Sequence, residues 1–175
     1  MVKSRSVILS TLAAIALAFN GCVTATSPNP LLVQLIKAVL GCIPEGTSID
    51  TPDGGRPIEE IKPGDIVFGF SGEPVRVLQK DSYNEDPSPK RFYRIEFDNG
   101  SVVSLSDMHR IDGVRAKNLC LGMEVNGSKV ISIRAFGGVE RSYDLRTEDS
   151  GYQIEGIPVN TMMDELKRAA GNRGP

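Results

Sequence analysis

Residues 42–67 read CIPEGTSIDTPDGGRPIEEIKPGDIV. A short run suited to a strand, Thr47–Thr51, ends at Asp53-Gly54-Gly55, where glycine tolerates the positive φ that a tight hairpin demands. Lys62-Pro63-Gly64-Asp65 is a second turn, in which proline presets φ and glycine supplies the reversal. The run Ile66–Phe70 follows directly. Further runs rich in Val, Ile, Phe and Tyr continue outward from this stretch: Pro74–Lys80, Phe92–Phe97, Ser101–Leu105, Lys129–Ala135, Ser142–Arg146 and Tyr152–Ile154. Each is bounded by turn residues, Asp98-Asn99-Gly100 among them. No stretch between Cys42 and Asn160 keeps helical periodicity for ten residues. The pattern predicts an all-β domain over residues 42–160. Ser82 to Lys90 (SYNEDPSPK) is expected to be an exposed polar loop.

The whole chain has 175 residues, with 22 acidic and 20 basic groups, one His, three Cys and no Trp. That length holds one modest domain plus extras, and its core needs no disulfide staples. Charge is uneven along it. Residues 1–41 carry three basic and no acidic groups, whereas 42–160 carry 14 basic against 20 acidic. An acidic domain without a basic stripe argues against a nucleic-acid partner. One His and three Cys exclude the usual zinc cages, and no cofactor or metal is expected. Any catalysis must draw on very few titratable side chains.

Lys3 and Arg5 precede an apolar run from Val7 to Phe19, too short for a spanning helix of about 20 residues. A basic start, a short apolar centre and small residues after it predict an export signal over residues 1–21. The run ends at Asn20-Gly21-Cys22, which resembles a bacterial lipoprotein lipobox. That resemblance implies lipidation of Cys22 and a membrane held through a lipid anchor. Ordinary cleavage near Ala25, giving a periplasmic or secreted protein, and an uncleaved anchor are the alternatives. Residues 22–41 are expected to form a tether, proline-punctuated from Thr24 to Pro30, and a short helix from Leu31 to Leu40. Residues 161–175 form a short C-terminal tail, with one helical turn expected around Met162–Leu166.

Three stretches in order resemble the Hint fold of inteins, bacterial intein-like domains and the autoprocessing part of hedgehog proteins. They are Cys42 to Val67, Gly100 to Ile111 (GSVVSLSDMHRI) followed by Ala116 to Val125 (AKNLCLGMEV), and Ser142 to Thr161 (SYDLRTEDSGYQIEGIPVNT). The opening motif carries most weight: Cys, Gly-Thr, a strand, Thr-Pro-Asp-Gly, Ile-Glu-Glu-Ile and Lys-Pro-Gly-Asp. The resemblance covers residues 42–160 and implies autoprocessing, with the protein's own polypeptide as substrate.

At the Gly41–Cys42 junction the thiol lies close along the chain to the preceding carbonyl carbon. Attack there would exchange an amide for a thioester, provided the fold strains the bond, stabilises the oxyanion and protonates the departing nitrogen. The resemblance assigns the last two tasks to Ser106-Asp107-Met108-His109, with His109 reaching the amide and the Ser106 hydroxyl holding the carbonyl. Ser106 stands where the family has Thr. Asp144, in Tyr143-Asp144-Leu145, matches an acidic position near the thiol and is either a helper in removing its proton or a solvated strand-edge residue. Asn160-Thr161 matches the junction at which inteins cyclise Asn and pass the chain to the next hydroxyl. There the family has His just before the Asn and another in the preceding strand. Val159 and Ser150 or Gly151 stand instead, which puts that step in doubt.

Cys120, between Leu119 and Leu121, is expected to be a buried structural thiol. A Cys42–Cys120 disulfide stays open as an alternative that would silence the nucleophile. The leading expectation is an N–S acyl shift and self-cleavage at Gly41–Cys42, completed by water, an external nucleophile or an acceptor amine. The alternatives are an inactive exported lipoprotein that uses the scaffold for binding or structure, and an ordinary cysteine hydrolase. The last fares worst, because Ile43-Pro44 opens no helix to lower the thiol pKa.

Overall fold

A computed structural model of the protein describes residues 42–85 and 92–162. The expected export signal, Cys22, the tether and its helix, Gly41, the end of the Ser82–Lys90 loop and the tail from residue 163 lie outside the described residues. Among the described residues there are fourteen strands, in chain order β1 (Ile43–Pro44), β2 (Ser48–Thr51), β3 (Gly54–Pro57), β4 (Ile66–Phe68), β5 (Pro74–Asn84), β6 (Phe92–Phe97) and β7 (Val102–Ser106). They continue with β8 (Arg110–Ile111), β9 (Val114–Arg115), β10 (Glu124–Val125), β11 (Ser128–Phe136), β12 (Arg141–Thr147), β13 (Gly151–Ile154) and β14 (Ile157–Asn160). Ile58–Glu60 and Ala116–Asn118 are 3-10 turns.

The strands form three four-stranded sheets, ordered β1-β12-β5-β4, β10-β11-β6-β7 and β13-β14-β8-β9, plus the β2–β3 hairpin. Alternation of buried and partly exposed residues explains β2 and β7. In β7, Val103 and Leu105 are buried while Val102 and Ser104 are only partly so, which is the period-two pattern of a half-covered sheet. The three sheets share one core, with Ile43, Ile49, Phe97, Leu145, Tyr152 and Val159 among its members.

β5 runs farther than expected. Ser82–Asn84 extend it and pair with Arg141–Tyr143 of β12 instead of entering a loop. Glu85 follows, buried, its carboxylate accepting a hydrogen bond from the Ser142 hydroxyl. β14 also departs from the simple pattern, because all four of its residues are buried and one is Pro158. The proline is tolerated because its carbonyl still works, accepting the Asp112 amide at 3.3 Å.

The β13–β14 hairpin turns at Glu155-Gly156, where φ is +50° and +76°, the primed geometry that matches strand twist. Asp50 of β2 pins this turn by accepting the Glu155 and Gly156 amides at 3.0 and 2.6 Å. The hairpin carries Tyr152 and Asn160 into the core, so Asp50 fixes the placement of both from a distance.

Candidate functional site

Cys42 is fully buried at the entry to β1. Its backbone is held twice by one residue. The Cys42 amide donates to the Ser106 hydroxyl oxygen at 2.9 Å, and the Ser106 amide donates to the Cys42 carbonyl at 2.9 Å. The sequence reading placed the Ser106 hydroxyl on the carbonyl of the junction. The structure shows the hydroxyl oxygen accepting from the nitrogen of the junction, because β7 ends where β1 begins and brings Ser106 alongside the Cys42 backbone, and its own O–H stays available to a carbonyl. Gly41 lies outside the described residues.

His109 is fully buried three residues on. Its amide donates to the Ser106 carbonyl at 3.1 Å, which closes the turn between them. The Ala116 amide donates to the His109 carbonyl at 2.8 Å and the Lys117 amide to the Asp107 carbonyl at 3.1 Å. The 3-10 turn therefore braces the Ser106–His109 segment from the other side.

Asp144 lies in β12, between β1 and β5, and is buried. The solvated-edge reading does not survive, because β12 is not an edge strand. β1 pairs with β12 as Ile43 with Tyr143 and Pro44 with Ser142. One step farther along this register sets Cys42 opposite Asp144, and opposite residues of an antiparallel pair share a face. Three donors hold the Asp144 carboxyl: the Leu145 amide on Oδ1 at 3.0 Å, the Tyr152 hydroxyl on Oδ1 at 3.4 Å, and the Met162 amide on Oδ2 at 3.1 Å. Burial nevertheless dominates and pushes the Asp144 carboxyl well above the ordinary carboxylate range, the Met162 and Leu145 amides pulling the other way.

Two phenols complete the surroundings. Burial, then charge on Asp144 and Cys42, pushes the Tyr152 phenol well up. Burial, then charge on Cys42, Asp81, Asp144 and Glu85, does the same to Tyr83. Both keep their protons, so Cys42 and Asp144 sit among neutral hydroxyls.

The second junction converges on the same carboxyl. Asn160 is buried, and its side-chain carbonyl accepts the Gly113 amide at 3.0 Å. Thr161 is fully buried, with its amide donating to the Ser150 carbonyl at 3.1 Å. Met162 then reaches Asp144. Sequence reasoning missed Tyr152, Gly113 and Met162, because their contacts come only from the pairing of distant strands.

Cys120 is exposed, not buried, and both Cys42 and Cys120 are thiols. The 3-10 turn explains the correction. Its three-residue period turns Ala116 and Leu119 inward and leaves Cys120 facing solvent. Among the described residues no group of three His, Cys, Asp or Glu is arranged to hold a metal ion. A groove of about 910 Å³ opens near Thr47, Arg94, Ser104 and Arg141, and another of about 530 Å³ near Asp53 and Arg56. Neither is lined by Cys42, Ser106, His109 or Asp144.

The titration of Asp144 has a consequence for stability. Because its folded value is raised, the stabilisation it gives is fully present below the unfolded value of 3.8 and is lost as pH rises through the folded value. Asp144→Asn removes that loss. The thermal midpoint of the variant is therefore expected to gain on the unsubstituted protein as pH rises above 4, and to stop gaining once pH has passed the folded value. A constant difference across that range would show that folding does not raise the Asp144 value.

The chain matches no protein-family model. Solved structures similar to it include the Msm DnaB1 intein splicing domain, determined bound with zinc, at 21% identity and a TM-score of 0.56 over 67% of this chain and 98% of that one. The gp41-1 intein gives 20% and 0.57 over 69% and 98%. The bacterial intein-like domain from Clostridium thermocellum gives 19% and 0.57 over 69% and 97%. Among curated proteins, the iron-sulfur cluster assembly SufBD family proteins Mb1496 of Mycobacterium bovis and Rv1461 of Mycobacterium tuberculosis are 51% identical over 43 residues. That stretch is 24% of this chain and only 5% of the length of those relatives. The all-β architecture of the domain is the intein-like Hint fold.

Proposed function

We propose that this Hint-fold chain processes itself at Gly41–Cys42 by an N–S acyl shift. The observation that carries the reading is the buried 2.9 Å hydrogen bond from the Cys42 amide to the Ser106 hydroxyl, which ties the nitrogen of the junction to the segment bearing His109. In the first step the Cys42 thiol proton passes to the Asp144 carboxylate and the sulfur attacks the Gly41 carbonyl carbon. The C–S bond forms and the C–N bond breaks, and His109 supplies the proton that the departing nitrogen takes up. At the end of the step Asp144 holds the proton that sulfur lost and His109 has given its own to nitrogen, and exchange with water restores both. An ordinary carboxylate near 3.9 is a poor base for a thiol near 8.5. Burial raises the Asp144 carboxyl and makes it a stronger base than an ordinary carboxylate.

Water, or an acceptor amine, then displaces sulfur from the thioester and frees residues 42–175 from those before them. With the chain exported and Cys22 lipidated, this would release the domain from a bacterial membrane. The C-terminal step is not part of the proposal. Val159 and either Ser150 or Gly151 stand where inteins have histidines, and of the latter two Gly151 has no room for a side chain, because a Cβ there would fall on the Val159 carbonyl oxygen.

The test is intact-mass analysis of the chain carrying Cys22→Ser, incubated with and without hydroxylamine. A break between Gly41 and Cys42 is expected, accelerated by hydroxylamine and abolished by Cys42→Ala. One undegraded mass under every condition, with Cys42 reduced, would favour the non-enzymatic lipoprotein instead.

A further inference from the structure

Asp144 is the buried carboxyl on which the proposed thiol chemistry turns, and one of its three donors is a side chain the reaction has not used. Tyr152 is fully buried in β13, and its hydroxyl meets Asp144 Oδ1 at 3.4 Å. The residues just before it cannot serve. Gly151 leaves no space for a Cβ, and the Ser150 amide and hydroxyl are turned to Asp149 Oδ1 at 2.6 and 3.4 Å. Tyr152 is thus the first residue of β13 whose side chain reaches the site.

We propose that Tyr152 is a positioning residue for the thiol chemistry, its hydroxyl steadying the ionised Asp144 carboxyl in the orientation that receives the Cys42 proton. This rests on the self-cleavage reading above and deepens it. A hydroxyl that donates to a carboxylate favours the charged form over the neutral one. The other two donors, the Leu145 and Met162 amides, belong to the backbone and cannot be removed by a simple substitution. Among the described residues, the ionisable groups set against Asp144 are Asp81 and Tyr83 of β5, Cys42 ahead of β1, and Tyr152 itself. Asp81 and a Cys42 thiolate oppose a second negative charge, and Tyr83 stays neutral. Tyr152 is therefore the one side chain of this set that favours the carboxylate. Its own proton does not leave, because burial and the neighbouring charge hold it on.

Tyr152→Phe keeps the ring and its packing and removes only the hydroxyl. Two measurements on the full chain test the proposal. In the first, Cys42→Ala blocks the reaction and the Asp144 carboxyl is titrated by isotope-edited infrared spectroscopy. Tyr152→Phe is expected to move its midpoint to higher pH. In the second, the cleavage rate is followed against pH with Cys42 in place. The acidic limb is expected to move the same way, with rates about tenfold lower below it and converging above it. An unchanged carboxyl titration overturns the proposal, and so does a rate loss equal at every pH, the mark of a purely structural role. If the unsubstituted chain does not cleave, the parent reading falls and the positioning role falls with it. The titration needs no cleavage, so that result is distinguishable from a failure of Tyr152 alone.

Discussion

His109→Ala is expected to slow cleavage at Gly41–Cys42 by about 10²- to 10⁴-fold, the range over which a positioned acid or base contributes. His109 is the single histidine of the chain, and it is fully buried one turn from the hydroxyl that holds the Cys42 nitrogen. An amine anion is a poor leaving group, so the nitrogen departs only as a proton reaches it. The measurement is the rate of appearance of the fragment beginning at Cys42, by intact mass, with circular dichroism to check that the β structure persists. Addition of free imidazole should restore part of the rate if the side chain acts as a proton carrier. Cleavage of the variant at the unsubstituted rate would move the acid role elsewhere.

Gly151→His, which would place a histidine at one of the two positions, Ser150 or Gly151, that correspond to the intein histidine, is expected to cost about 3 kcal/mol of stability and to yield no C-terminal cleavage. A Cβ at this position would fall on the Val159 carbonyl oxygen and within 3.1 Å of the Phe70 ring. Gly151 pairs with Asn160 and Tyr152 with Val159, so the clash can be relieved only by parting β13 from β14. The urea midpoint reports the loss. Ser150→His, at a partly exposed position, should keep the midpoint nearly unchanged. A Gly151→His protein as stable as its parent would mean that the hairpin yields, and the argument against C-terminal processing would weaken.

Much of the fold was legible because its long strands alternate and its turns use glycine, as at Asp53-Gly54 and Asp98-Asn99-Gly100. The hairpin of β2 and β3 reverses where the first signal lies, and β6 and β7 where the second does. The two-residue strands β1, β8, β9 and β10 were not legible, since two residues carry no periodicity. β3 was hidden for another reason. Gly54, Gly55 and Pro57 are poor strand formers, and at Gly55 a side chain would meet only the Ser48 hydroxyl, which can turn aside. β14 reads as no strand at all, being uniformly apolar up to Asn160 and interrupted by Pro158.

The site was legible residue by residue but not as an arrangement. Cys42, Ser106, His109 and Asp144 each stood out by type and motif. That the Ser106 hydroxyl would accept from the Cys42 nitrogen depends on how β7 ends against β1, which no local pattern encodes. Cys120 misled because its neighbours Leu119 and Leu121 are apolar. The three-residue turn buries Leu119 and leaves Leu121 69% exposed.

The enclosure of the Cys42 nitrogen bears on how far the first step can run. An amine set free in a fully buried position beside Ser106 Oγ resists charging, because burial disfavours its ammonium form. It therefore stays a competent nucleophile, held within reach of the acyl group it has just lost. Recapture would outpace escape, and the chain would rest almost wholly in its uncut form. Only an arriving nucleophile that carries the acyl group away would make the rearrangement permanent, so the abundance of that nucleophile would time the severance.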